Sequence, residues 1–171
     1  MNEVSEVKDL ASAAKVVLTQ AMEYCAQKTR LDSSQAVIDR LREGDGEACG
    51  YCHYSVAKQV AESLGALDDT IKAAYIYDYD ATPEDLCFAE AGRALPIHLL
   101  VWVGRKTAAL KAMVETWDRA LAQRYAEMIG GHQPAYLLDV QVVDDADVEK
   151  RIGHGALLSS LYHPPIQIWR R

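Results

Sequence analysis

The chain has 171 residues, half of them apolar, with 25 acidic against 18 basic side chains and a net charge of −7. That length suits one compact domain, or a domain with a small helical appendage. The acid excess without a long basic run argues against nucleic acid as a partner, and no apolar run approaches the ~18–20 residues of a membrane span.

Val7, Leu10, Ala11, Ala14, Val17, Leu18, Ala21 and Cys25 recur at three and four residues, which predicts an amphipathic helix over roughly 5–29. Asp32 or Ser33 caps a shorter helix carrying Val37, Ile38 and Leu41, ended by Gly44-Asp45-Gly46. A third helix is expected from about Tyr51 to Leu64, with Gly65 as its left-handed stop. The period then shortens. IKAAYIYDY (71–79) predicts a strand, the polar ATPEDLCFAEAGRAL (81–95) a loop or lid, and IHLLVWV (97–103), apolar on both faces, a central strand. Lys106 to Ile129 forms a long helix closed by Gly130-Gly131, and YLLDVQVV (136–143) another strand. A short acid-started helix follows at Asp145 to Ile152. PPIQIW (164–169) completes the order as an edge strand, where prolines are tolerated at the start. The expected class is α/β (α+β): an N-terminal helical region, 1–66, packed with a mixed four-stranded sheet in 67–171, as one compact unit.

From Ile71 to Trp169 this order resembles the nucleotidyltransferase fold. In that family a Gly-Ser turn follows the first strand, Asp-x-Asp lies on the second, and a long helix leads to a third strand with one more acid. The resemblance implies metal-assisted phosphoryl transfer with two magnesium ions held by carboxylates. LLDVQVVDDADVEKR places Asp139 at the third acid, and ALLSSLY resembles the family's closing helix. The chain departs from the pattern where chemistry is concerned. Tyr77-Asp78-Tyr79 stands in place of Gly-Ser, and Pro96-Ile97-His98 in place of Asp-x-Asp. The expectation is a scaffold that has lost its catalytic ligands and serves as a binding or interaction module. A ferredoxin-like split β-α-β arrangement would give a similar string of elements.

Cys49-Gly50-Tyr51-Cys52-His53 is the other motif. Cys-x-x-Cys-His attaches c-type haem, but the acid-bearing N-terminus MNEVSEVKDLASAAKVV has no apolar signal core. The protein is therefore expected to be cytoplasmic, with its four cysteines as thiols or ligands rather than structural disulfides. Cys49 and Cys52 at a helix start could form half of a zinc or iron–sulfur site, with Cys25, or Cys87 in the polar loop, supplying further sulfur. A thiol at a helix N-terminus also becomes a better thiolate, which would suit redox chemistry. Against both stands the plainer expectation that Cys25 and Cys52 are small buried apolar groups.

His98 sits in an apolar strand and would meet Asp139 if their strands are neighbours. Such a His–Asp pair would be the best sign of a surviving catalytic centre. Asp78, Asp80, Glu84 and Asp85 cluster after the first strand, where turn formation explains them as well as cation binding does. Asp144, Asp145 and Asp147 cap the short helix. Arg105 and Lys106, at a helix start, are candidates for an anion, although an internal acid such as Asp78 or Asp80 would satisfy them equally. A homodimer through the N-terminal helices or the last strand is the remaining partner expectation; the residues do not identify a small-molecule ligand.

Overall fold

The computed structural model describes residues 3–77, 96–131 and 133–171. The described elements are α1 (Glu3–Thr29), α2 (Ser34–Arg42), α3 (Gly46–Leu67), β1 (Ile71–Ile76), β2 (Ile97–Val103), α4 (Ala108–Ile129), β3 (Leu138–Asp144), α5 (Asp145–Lys150), a 3-10 helix (Gly153–Ser159) and β4 (Ile166–Arg170). Helices accompany a four-stranded mixed sheet of order β3-β2-β1-β4, so the α/β class holds. The chain divides into two compact units that alternate along the sequence. One holds α1, α2, α3 as far as Val56, and Glu115–Leu137. The other holds α3 from Ala57, the sheet, the chain up to Val114 after β2, and everything from Leu138 onward.

In the first unit, α1 buries Ala14, Val17, Leu18, Ala21, Met22 and Cys25, each no more than 4% exposed, as the three-four spacing demands. The Ser33 hydroxyl caps α2 by accepting from the Ala36 amide at 3.2 Å. The Asp45 carboxylate caps α3, accepting from the Ala48 amide at 2.8 Å. That bond, ahead of the Arg40 guanidinium, holds the Asp45 carboxyl below its usual range. Helix α3 therefore starts at Gly46, a turn earlier than apolar periodicity alone suggests. Gly130, at φ +69°, ends α4 in the left-handed conformation glycine allows, and Arg42 Nε donates to the Ile129 carbonyl at 2.6 Å, satisfying a helix-end acceptor.

In the second unit, β2 is one of the two inner strands, with Ile97, Leu99, Leu100, Val101 and Val103 at most 3% exposed. It pairs antiparallel with β1 and parallel with β3, in a register that sets His98 beside Asp139 and Leu100 beside Gln141. β4 is an edge strand, antiparallel to β1, with Pro164 and Pro165 just ahead of it. Gly65 is not the stop of α3. The helix continues to Leu67, and Gly65 lacks a positive φ. It is glycine because a Cβ there would fall inside the Trp169 indole of β4. Arg171 ties the same helix end to the sheet. Its guanidinium donates to the Gly65 and Asp68 carbonyls, to the Ile71 carbonyl at 3.1 Å and to Asp69 at 2.8 Å.

Asp144 and Asp147 form a capping box at the start of α5. Asp147 also pairs with Lys106 at 2.5 Å, and the hydrogen bond from that ammonium holds its carboxyl below the usual range. The 3-10 helix that replaces the expected closing helix packs on α5 and β3.

Candidate functional site

The parallel β2–β3 register brings His98 and Asp139 together as side chains of directly paired residues. His98 Nδ1 lies 3.2 Å from Asp139 Oδ2. A carboxylate only accepts, so Nδ1 carries the shared proton, and a neutral ring then leaves Nε2 as an acceptor. Gln141, next but one along β3 and so on the same face, donates its amide to the other oxygen, Asp139 Oδ1, at 2.7 Å. The Tyr77 hydroxyl stands 3.5 Å from Asp139 Oδ2. Its ring lies 5.2 Å from that of His98 and 5.6 Å from that of His154, both tilted. β1 runs out at Tyr77, whose amide donates to the His98 carbonyl at 3.3 Å, and this backbone bond places the phenol. His154 arrives on the 3-10 helix.

The His98 and Asp139 side chains are 29% and 34% exposed, so the pair is reachable from solvent while its carboxylate is anchored from two sides. The arrangement can accept a hydrogen bond or a proton at His98, and Asp139 would stabilise the imidazolium formed. Sequence inspection finds His98 and Asp139. Tyr77 and Gln141 follow once strand faces are counted, but His154 belongs to the site only through the tertiary fold.

Of the cysteines considered for a clamp, Cys25 lies within electrostatic reach of Cys52. Among the described residues no group of three or more His, Cys, Asp or Glu side chains could hold a metal ion. Cys49 is disulfide-bonded, which corrects the expectation of free thiols throughout. Disulfide pairing needs Cα atoms within about 4.4–6.8 Å, a separation that spacing along the chain does not give. Cys25 and Cys52 are free and buried. Cys25 Sγ donates to the Ala48 carbonyl at 3.4 Å, and burial pushes its pKa up. Burial also pushes Cys52 up to about 12. The N-cap of α3 is Asp45, so Cys52 lies well inside the helix, away from the terminal amides that would stabilise a thiolate. Cys87 and the acids Asp78, Asp80, Glu84 and Asp85 lie outside the described residues.

Cys52 gives a prediction. Native protein at pH 8 should leave Cys25 and Cys52 unmodified by Ellman's reagent, and both should react in denaturant. A folded-state pKa raised above the ordinary thiol value favours the native state below that value, and the contribution fades as pH climbs toward about 12. Stability should therefore decline between about pH 9 and 12. Rapid native labelling of Cys52 would contradict the burial.

Lys106, a candidate for an anion, is paired with Asp147. The partner is internal, as weighed from sequence, but it comes from α5. Arg105 is exposed. The helix start they flank is capped by Thr107, whose hydroxyl accepts from the Leu110 amide at 3.1 Å. Among the described residues no helix is long and apolar enough to cross a membrane.

Fold and site together define an α/β domain with a histidine–carboxylate pair held on its sheet. No family model, curated protein or solved structure matches the chain.

Proposed function

We propose that this protein is a binding module, nucleotidyltransferase-like in the order of its strands and helices, whose ligand-contacting centre is the His98–Asp139 pair. The observation that carries the reading is the commitment of Asp139. Both of its carboxylate oxygens are used within the chain, one by His98 and one by Gln141. In the resemblance this is the acid that would serve a cation, and His98 stands where a second acid would be. A carboxylate employed in orienting an imidazole supports recognition of a ligand hydroxyl or amine at Nε2 more than nucleotidyl transfer. Tyr77 and His154 supply ring surface beside it, so the ligand expected is a small polar molecule with some apolar area.

The test is a thermal-shift screen with amino acids, sugars and nucleosides, followed by calorimetry on any compound that stabilises the protein. His98→Asn and Asp139→Asn should each weaken binding at least tenfold, about 1.4 kcal/mol, with the fold intact by circular dichroism. Asp139→Asn acts by removing the acceptor that fixes the imidazole tautomer. Unchanged affinity in both variants would overturn the assignment. Turnover of nucleoside triphosphates with magnesium would overturn the non-catalytic reading.

A further inference from the structure

The sheet-bearing unit has a second recess, of about 410 Å³, lined by Lys72, Tyr75, Trp102, Gln167, Arg170 and Arg171. Trp102 is fixed in it. Its indole Nε1 donates to Asp145 Oδ1 at 2.9 Å, and the Lys72 ammonium lies 5.5 Å from the ring centroid. Tyr75 follows on the neighbouring strand. Ala73 pairs with Trp102 and Tyr75 with Leu100, so the phenol and the indole share one face of the sheet.

The cations of the recess are not equivalent. Lys72 is neutralised by both oxygens of Asp145, at 2.7 and 2.6 Å. Arg171 is spent on Asp69 and on backbone carbonyls. The Arg170 guanidinium makes no hydrogen bond or ion pair among the described residues, although its backbone pairs with Ala73 in the sheet. It is exposed, and its charge is felt at the Tyr75 hydroxyl, where it opposes the upward push of burial. An uncompensated guanidinium beside two aromatic walls, in a chain of net charge −7, is a feature that charge balance alone does not require. Guanidinium groups match carboxylate and phosphate in a two-point fork, and flat rings stack on indole and phenol.

We propose that this recess binds a planar aromatic anion, its ring against Trp102 and Tyr75 and its carboxylate or phosphate on Arg170. The site is distinct from the His98–Asp139 pair and does not depend on the reading given to that pair.

The test is calorimetric titration of the full chain with 2-naphthyl phosphate, 2-naphthoate and the neutral 2-naphthamide. At least one anion should bind fivefold or more tightly than the amide, and whichever anion is tighter identifies the headgroup. Arg170→Gln, an exposed change that spares the fold, should abolish that preference. Trp102→Leu should weaken all three probes at least fivefold. Raising salt from 50 to 500 mM should weaken the anion and not the amide. His98→Asn should leave every affinity unchanged, which separates this result from the test of the other site. Equal binding of amide and anions, an unaltered preference in Arg170→Gln, or no binding of either anion would overturn the proposal.

Discussion

Replacing Trp117 by alanine should cost about 3–5 kcal/mol of folding stability, the range for emptying a buried aromatic site. Trp117 is 2% exposed and heads the largest fully buried side chains. It lies on α4 with Leu121, Ala122 and Tyr125, all at most 7% exposed, so its removal opens a cavity among groups with little freedom to close it. Its indole Nε1 is buried without a hydrogen-bond partner among the described residues. That donor gives up its water on folding and gains no partner among the described residues. Trp117→Phe should therefore cost clearly less than Trp117→Ala, because it keeps most of the ring volume and deletes the unpaired group. Urea denaturation followed by far-ultraviolet circular dichroism gives both values. A loss below about 1 kcal/mol for the alanine variant would mean that the site is not the packed core described.

Gly155→Ala should have the second large effect, about 1–3 kcal/mol, as an overpacking change in a rigid setting. A Cβ at Gly155 would stand 2.5 Å from the Asp147 carbonyl oxygen and 2.6 Å from its carbon. Both atoms belong to the backbone of α5, so no rotamer change relieves the overlap. The 3-10 helix must move away from α5, and His154 moves with it. The consequence reaches the proposed site, since His154 lies against Tyr77 and Tyr77 against His98. Imidazole resonances of His98 and His154 in a proton NMR spectrum should shift together with the loss of stability. Gly50→Ala is the control. A Cβ there meets nothing within 4 Å, and a mid-helix glycine costs roughly 0.5–1 kcal/mol relative to alanine, so this variant should gain stability. Equal behaviour of the two variants would show that the packing of Gly155 is unimportant.

Much of the secondary structure is legible along the chain because each element answers to a local period. β2 matches its predicted span, 97–103, because its mostly apolar run suits an inner strand: Ile97, Leu99, Leu100, Val101 and Val103 are buried, with His98 and Trp102 half-buried. The Ser33 cap and the acid-started α5 follow from side chains that bond amides two or three residues ahead. Gly65 is the instructive miss. A glycine after an apolar helix face reads as a stop, yet here it makes room for an indole about a hundred residues later in the chain. α3 starts earlier than its apolar residues suggest for a related reason: Asp45 caps it a turn ahead, over residues whose apolar pattern is faint.

The site divides in the same way. His98 and Asp139 are visible as chemistry-bearing residues on strands, but nothing local says that two strands 41 residues apart run parallel, or in which register. A slip of one residue would turn Asp139 to the other face of the sheet. The cysteines show the converse. Close spacing and an adjacent histidine suggest a metal clamp, while the fold buries Cys25 and Cys52 as free thiols and leaves Cys49 in a disulfide.

By itself the sequence determined the α/β class, an inner strand, most helix spans and the residues able to do chemistry, because these depend on periodicity and short-range capping. Tertiary structure alone decided that His98 faces Asp139, that His154 joins them, that Arg170 is left uncompensated beside Trp102, and that Cys25 and Cys52 are buried as free thiols. Those outcomes depend on strand register and long-range packing, where groups far apart in the chain compete for one place and the free energy of the whole fold selects the winner.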